Sequence, residues 1–325
     1  MLCVTRRYPG ISAVVTAVSI TLLTVALGAH CALGDDGAVQ ITTDPAFDLF
    51  PSWSPDGSQL AFQSDRLGSQ DIWLIPSTGG TAALLFSDPR GDNAPEWSPD
   101  GSTIVFGSHS AGNNDIWLIP SGGGTAIQLT SDPTDDTQPD WSPDGSMIVF
   151  DSRRTGNAEI WVMPAAGGPA TQITNDPEPD TQPCWSPDGN YIAFHSTRSG
   201  NYDIWVIPLT GEPAVQITTD LDYDQSATWS PDGQWIAFAS GRSGKAEIWM
   251  IPAGGGTAVQ LTSGGGWTGS PDWSPDGTKI AFRSNRSGNG DIWVLDMPSA
   301  GVPYDAGGVR PGRCTSWSKV KAVFE

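Results

Sequence analysis

The amino-acid sequence predicts an all-β protein, a six-bladed β-propeller closed by its own N-terminal strand. Three observations carry that prediction. The pentapeptide Trp-Ser-Pro-Asp-Gly begins at Trp53, Trp97, Trp141, Trp185, Trp229 and Trp273, always 44 residues apart. Each unit is a series of short β-branched and aromatic runs separated by turn residues, the pattern of four strands joined by hairpins. The 39 Gly and 27 Pro among 325 residues interrupt helices throughout, while 15 Trp exclude a disordered chain.

In the third unit the strands fall at Gln138 to Trp141, Met147 to Ser152, Glu159 to Met163 and Thr171 to Thr174. Pro143-Asp144-Gly145 and Gly167-Gly168 supply hairpin turns between them. The repeat is dense in large side chains: Phe62, Phe106, Phe150, Phe194, Phe238 and Phe282 form one series, and Trp73, Trp117, Trp161, Trp205, Trp249 and Trp293 another. Both series are expected to pack between blades. The ends of the array complement each other. Ala38-Val39-Gln40-Ile41-Thr42 is in register with the fourth strands of the later units, whereas the sixth unit has no such strand after Ile292-Trp293-Val294. Pairing the two closes the ring and removes an exposed sheet edge.

Three segments follow from this pattern. Residues 1–34 carry Arg6 and Arg7, an apolar stretch from Ile11 to Ala29 and small residues before Asp35, which is the order of a secretory signal peptide. Residues 35–296 are the propeller. Residues 297–325 form a basic tail or a degenerate partial repeat, with Trp317 placed 44 residues after Trp273. The reading places the protein in the periplasm or outside the cell, with the membrane met only during export. Cys184 and Cys314 would remain after cleavage, free to pair but not required to.

The motif W-S-P-D-G, followed by I-A-F-x-S-x-R-x-G, D-I-W and a Q-L-T strand, resembles the WD40-like repeat called PD40 of TolB-like propellers. The resemblance covers about residues 38–296. Similar propellers precede the hydrolase domain of dipeptidyl-peptidase-like and prolyl-oligopeptidase-like enzymes. This sequence has neither that domain nor the N-terminal α/β domain of TolB. The resemblance implies a periplasmic ring that contacts other envelope components.

Acids exceed bases 36 to 16, a formal charge of −20 that repels phosphate backbones and excludes nucleic acid as a partner. The propeller segment holds ten bases against 34 acids. Many of these acids have structural explanations. Those of the Pro-Asp-Gly turns bond their own backbone. Arg66, Arg154, Arg198, Arg242 and Arg286 stand five residues before an Asp or Glu across a short hairpin, so an ion pair with Asp71, Glu159, Asp203, Glu247 and Asp291 is expected.

The candidate site is the loop entering each innermost strand. Asp48, Asp92, Asp136, Asp180 and Asp224 stand five residues before the repeat Trp, with Thr268 in blade six. A second series, Asp44, Asp88, Asp132, Asp176 and Asp220, stands nine before it. Gathered on one face, the inner series forms either a ring at the channel mouth, suited to Ca²⁺ or Mg²⁺, or a set of Asx-turn caps. Gly264-Gly265-Gly266-Trp267 breaks the ring in blade six, where a neutral or cationic group is expected to approach the aromatic face.

No catalytic pattern emerges. His109 and His195 occupy unrelated positions, and Ser108-His109-Ser110-Ala111-Gly112 falls in a hairpin instead of a strand-to-helix turn. The sequence therefore points to a monomeric, non-catalytic scaffold that needs no cofactor and presents its loop face to an envelope protein or a small ligand. Two alternatives stand beside it: a carbohydrate-active lyase or hydrolase using the channel-mouth acids, and a regulatory propeller for a separate hydrolase.

Overall fold

A computed structural model describes residues 36–211 and 213–297. The expected signal peptide and C-terminal tail, with Cys314, lie outside the described residues. The described chain forms six antiparallel sheets of four strands each. In blade three these are Asp136–Trp141, Met147–Ser152, Glu159–Pro164 and Thr171–Gln172. The innermost strands of the other blades are Asp48–Trp53, Asp92–Trp97, Asp180–Trp185, Asp224–Trp229 and Thr268–Trp273. The sixth sheet takes its outer strand from the N-terminus: Val39 lies opposite Val294, and Gln40 opposite Trp293.

The core is divided among six interfaces, each shared by two neighbouring blades. Between blades two and three, Val105 and Ile116 pack against Trp141, Ile148, Phe150 and Met163. The N-terminal strand belongs to the same scheme, because Ile41 joins Trp53, Leu60 and Phe62 of blade one and Ile292 of blade six. All six Phe of the repeat are fully buried. The Pro-Asp-Gly turns do what their composition demands. Asp144 Oδ1 accepts hydrogen bonds from Ser142 Oγ at 2.7 Å and from the Ser146 amide at 3.0 Å, and Gly145 takes φ of 71°.

The outermost strand is held by Gln-x-Thr. Thr174 Oγ1 donates to Glu159 Oε2 at 2.7 Å while accepting the Ile160 amide at 2.9 Å, and the same arrangement recurs at Thr42, Thr130, Thr218 and Thr262. Gln40, Gln128 and Gln216 add a bond to Asp291, Asp115 and Asp203. This clamp answers what the acids before Ile-Trp are for, and it differs from the expected pairing with arginine. Thr174→Val leaves a buried carboxylate and a buried amide short of a partner. It is expected to cost about 1–3 kcal/mol in chemical unfolding.

Candidate functional site

The inner acids open the innermost strands, and each is fully buried: Asp48, Asp92, Asp136, Asp180 and Asp224 are all 0% exposed. Antiparallel pairing sets Asp48 opposite Ser64 and Asp136 opposite Ser152. Two residues on, the chain turns back and the Arg of the repeat reaches the carboxylate. Arg66, Arg154 and Arg242 meet Asp48, Asp136 and Asp224 at 2.8, 2.8 and 2.7 Å, and Arg198 meets Asp180. The guanidinium lies 4.6–5.1 Å from the Trp ring of its own blade and bonds the intervening Ser through Nε. The repeat arginine thus fastens the second hairpin to the inner strand, 18 residues back, and not to the acid five residues on. Burial raises the pKa values of Asp48, Asp180 and Asp224, and their Arg and Ser hydrogen bonds offset part of that rise.

Two blades break the pairing. Blade two has Ser110 where the others have Arg, so Asp92 lacks its cation and burial pushes it up to about 7. Phe86 packs against Phe106 there, with centroids 5.0 Å apart. Blade six has the converse defect. Thr268, also 0% exposed, stands where the others have Asp and bonds Ser284 at 3.2 Å. Its Arg286 instead meets Asp36 at 2.8 Å, with both side chains at most 5% exposed. Burial opposes ionisation of Asp36, but the bonds from Arg286, Ala38 and Ser263 hold it below its ordinary value.

The inner series therefore does not form an open ring at the channel mouth; arginine balances most of it. Among the described residues, no group of three or more His, Cys, Asp or Glu is arranged to hold a metal ion. The outer series caps its loops. Asp44, Asp88, Asp132, Asp176 and Asp220 each accept the backbone amide two residues on, at 2.9–3.1 Å.

The channel is lined by positions that the repeat does not hold constant. The third residue of every inner strand has positive φ without being glycine: Phe50, Ala94, Gln138, Gln182, Ser226 and Ser270. Pairing with the second strand skips this residue and its successor, Pro in five blades, so the chain bulges inward. The freed amide is taken by the preceding blade. Ala94 N donates to Gln63 Oε1 at 2.9 Å, Gln182 N to Asp151 Oδ2 at 3.1 Å, and Ser226 N to His195 Nδ1 at 3.4 Å. Buried and held near 3, His195 is a neutral ring whose Nε2 proton faces Thr181 Oγ1 at 2.7 Å.

Nearer the repeat Trp, a cavity of about 230 Å³ is lined by Glu96, Asp140, Cys184, Thr228 and Asp272 from five blades. Asp140 and Asp272 each accept the Trp amide of the next blade, from Trp185 at 2.7 Å and from Trp53 at 2.8 Å. Burial raises both to about 7, and it raises Glu96 well above its ordinary value, with repulsion from Asp272 and Asp140 adding to the effect. These carboxylates were not singled out from the sequence. Their signal is that the residue before the repeat Trp differs from blade to blade within an otherwise regular strand.

At the other end of the inner strands, Trp267 is 38% exposed, but its ring face is taken. Arg283 Cζ lies 3.8 Å from the Trp267 centroid and 5.8 Å from that of Phe50. The expected approach of a cation to Trp267 is thus met by a cation from the chain itself.

Six closed four-stranded sheets around a lined channel define a β-propeller protein. Residues 179–268 and 229–303 match the family model described as the TolB beta propeller domain, and residues 110–202 match that of the Tricorn protease N-terminal beta propeller domain. The TolB-type protein from Agrobacterium tumefaciens is 25% identical, with a TM-score of 0.66 over 80% of this chain and 93% of that one. TolB from Acinetobacter baumannii is 23% identical, with a TM-score of 0.64 over 77% of this chain and 60% of that one, so the chain spans less than two thirds of that protein. Oligogalacturonate lyase from Vibrio parahaemolyticus shares the fold at 13% identity, with a TM-score of 0.60 over 83% of this chain and 96% of that one. No curated protein sequence matches the chain. The chain is a TolB-like β-propeller.

Proposed function

We propose that this protein is an exported, non-catalytic scaffold that binds a protein of the cell envelope through its loop face and channel mouth. The observation that supports this reading is the division of labour within the repeat. Residues that recur in the blades are consumed by the fold, as the Arg-Asp pairs, Asx caps and Gln-x-Thr clamps show. Residues that vary, such as Gln138, Gln182 and Ser226, line the channel, and Arg283 stands 5.8 Å from the ring of its lining residue Phe50. A rigid frame carrying variable groups at one opening is the usual construction of a recognition surface. Among the described residues no helix is long and apolar enough to cross a membrane.

The test uses the full chain, expressed with its leader and carrying a photo-crosslinking amino acid at Gln138, at Ser270, or at Thr278 in a Pro-Asp-Gly turn at the opposite end. A discrete adduct with one envelope protein from Gln138 and Ser270, and none from Thr278, is the expected result. Adducts from Thr278 alone, or none from any position, would overturn the proposal. A lyase reading draws support from Asp140 and Asp272, half-buried channel acids raised to about 7, and from Glu96, raised beside them, which could serve as general acids. Release of unsaturated products from oligogalacturonate, lost in Asp140→Asn, would favour it over the scaffold.

A further inference from the structure

We propose that Arg283 and Trp267 form a carboxylate-binding subsite at the channel mouth, and that its ligand is the carboxylate of an extended peptide with apolar neighbours. The proposal rests on the scaffold reading above and adds the chemistry of what is bound. Arg283 occupies a repeated position, filled by Gln63, Gly107, Asp151, His195 and Ala239 in the other blades. Gln63, Asp151 and His195 there accept the amide freed by the next blade's bulge. A guanidinium has donors only, so Arg283 cannot perform that task for Phe50.

Nor does Arg283 play the part of the other arginines. Among the described residues it lies within ion-pair distance of no carboxylate, although acids outnumber bases by 20 in the sequence, and its Nε is buried without a hydrogen-bond partner. Burial lowers it to about 10. Its neighbours hold it in place. Gly269 leaves room for the stack, because a Cβ there would stand 2.9 Å from Trp267 Cη2 and 3.7 Å from Arg283 Nε. The Trp267 amide is fixed by Asn285 Oδ1 at 2.6 Å. A planar donor fork held on an aromatic face and short of an anion matches a carboxylate in geometry and charge.

The apolar preference comes from the surroundings. Trp267 is 38% exposed, and the Phe50 ring of the adjacent blade one lies 5.8 Å from the Arg283 guanidinium. Two of the acids built into this end of blades six and one, Asp48 and Asp36, are balanced by Arg66 and Arg286.

The probe is the N-acetylated tripeptide Ala-Leu-Phe, titrated calorimetrically into the purified chain at low salt, as free acid and as C-terminal amide. The free acid is expected to bind at least tenfold tighter, and Arg283→Gln to erase that difference without lowering the thermal midpoint. Arg283→Lys should retain part of the preference. Gly269→Ala, which keeps the charge but disturbs the stack, should reduce it severalfold. Equal binding of acid and amide, or an unchanged preference in Arg283→Gln, would overturn the proposal, as would absence of any binding. Equally tight binding of galacturonate would overturn its peptide part and assign the subsite to sugar acids. Crosslinking from Gln138 with no acid preference would sink this inference alone; loss of crosslinking would remove the scaffold reading beneath it.

Discussion

Asp36→Ala is expected to lower the stability of the protein by about 3–5 kcal/mol, because it leaves Arg286 charged and buried with no counterion. In the intact protein Arg286 Nη1 meets Asp36, while its Nη2, the atom that meets Asp in the four paired blades, is buried and unpartnered. Thr268 occupies the place from which that carboxylate would come. Thr268→Asp in the Asp36→Ala background should therefore restore most of the lost stability. Urea unfolding of the two variants checks the expectation. If Asp36→Ala unfolds at the wild-type midpoint, the ion pair contributes nothing to closure.

The second large effect is on pH. Carboxylates whose folded-state values are raised make folding favour the protonated form, so their contribution is complete below about 4 and is lost as pH climbs through the folded value. Asp92, Asp140 and Asp272 are raised to about 7, and Asp115, Asp151 and Asp291 to about 6, each chiefly by burial. Asp56, Asp100, Asp144 and Asp276 act in the opposite sense. Hydrogen bonds from the turn Ser or Thr hold them near 2, so their contribution is lost as pH falls from 4 toward 2. Stability is expected to peak between pH 4 and 5 and to fall toward pH 8. Asp92→Asn should gain about 1–2 kcal/mol at pH 8 and nothing at pH 4. Ser110→Arg with Phe86→Thr rebuilds the motif of the other blades and should flatten the same part of the profile. Thermal midpoints measured at unit pH steps decide the matter, and a profile rising steadily from pH 4 to 8 would contradict it.

The repeat made the blades, their order and the closure legible, because strand period, turn chemistry and a 44-residue spacing all point to one architecture. The partner of the repeat arginine was not legible from proximity alone. Asp71 is nearer in sequence than Asp48, but the pairing of Asp48 with Ser64 brings the inner acid beside the turn that Arg66 enters. The exceptions contained the answer: blade six lacks the inner acid and imports Asp36 to replace it. The channel carboxylates were missed for a different reason. A search for recurring acids finds the ones the fold uses, whereas Glu96, Asp140 and Asp272 share a position with Ser52, Cys184 and Thr228 and so form no series. Only the inward bulge at the positive-φ residue shows that this position faces the channel.

Closure by the N-terminal strand also sets an order of events in folding. Residues 36–42 leave the ribosome before any blade exists, yet their partners Arg286, Asp291 and Ile292 are about 250 residues away. Within blades one to five all pairing is local and can form as each hairpin is completed, whereas the seam must wait for the last blade. Until then blade six presents an open edge and the first segment has nowhere to pair, which makes sealing of the ring the slow step and the interval before it the one most exposed to aggregation.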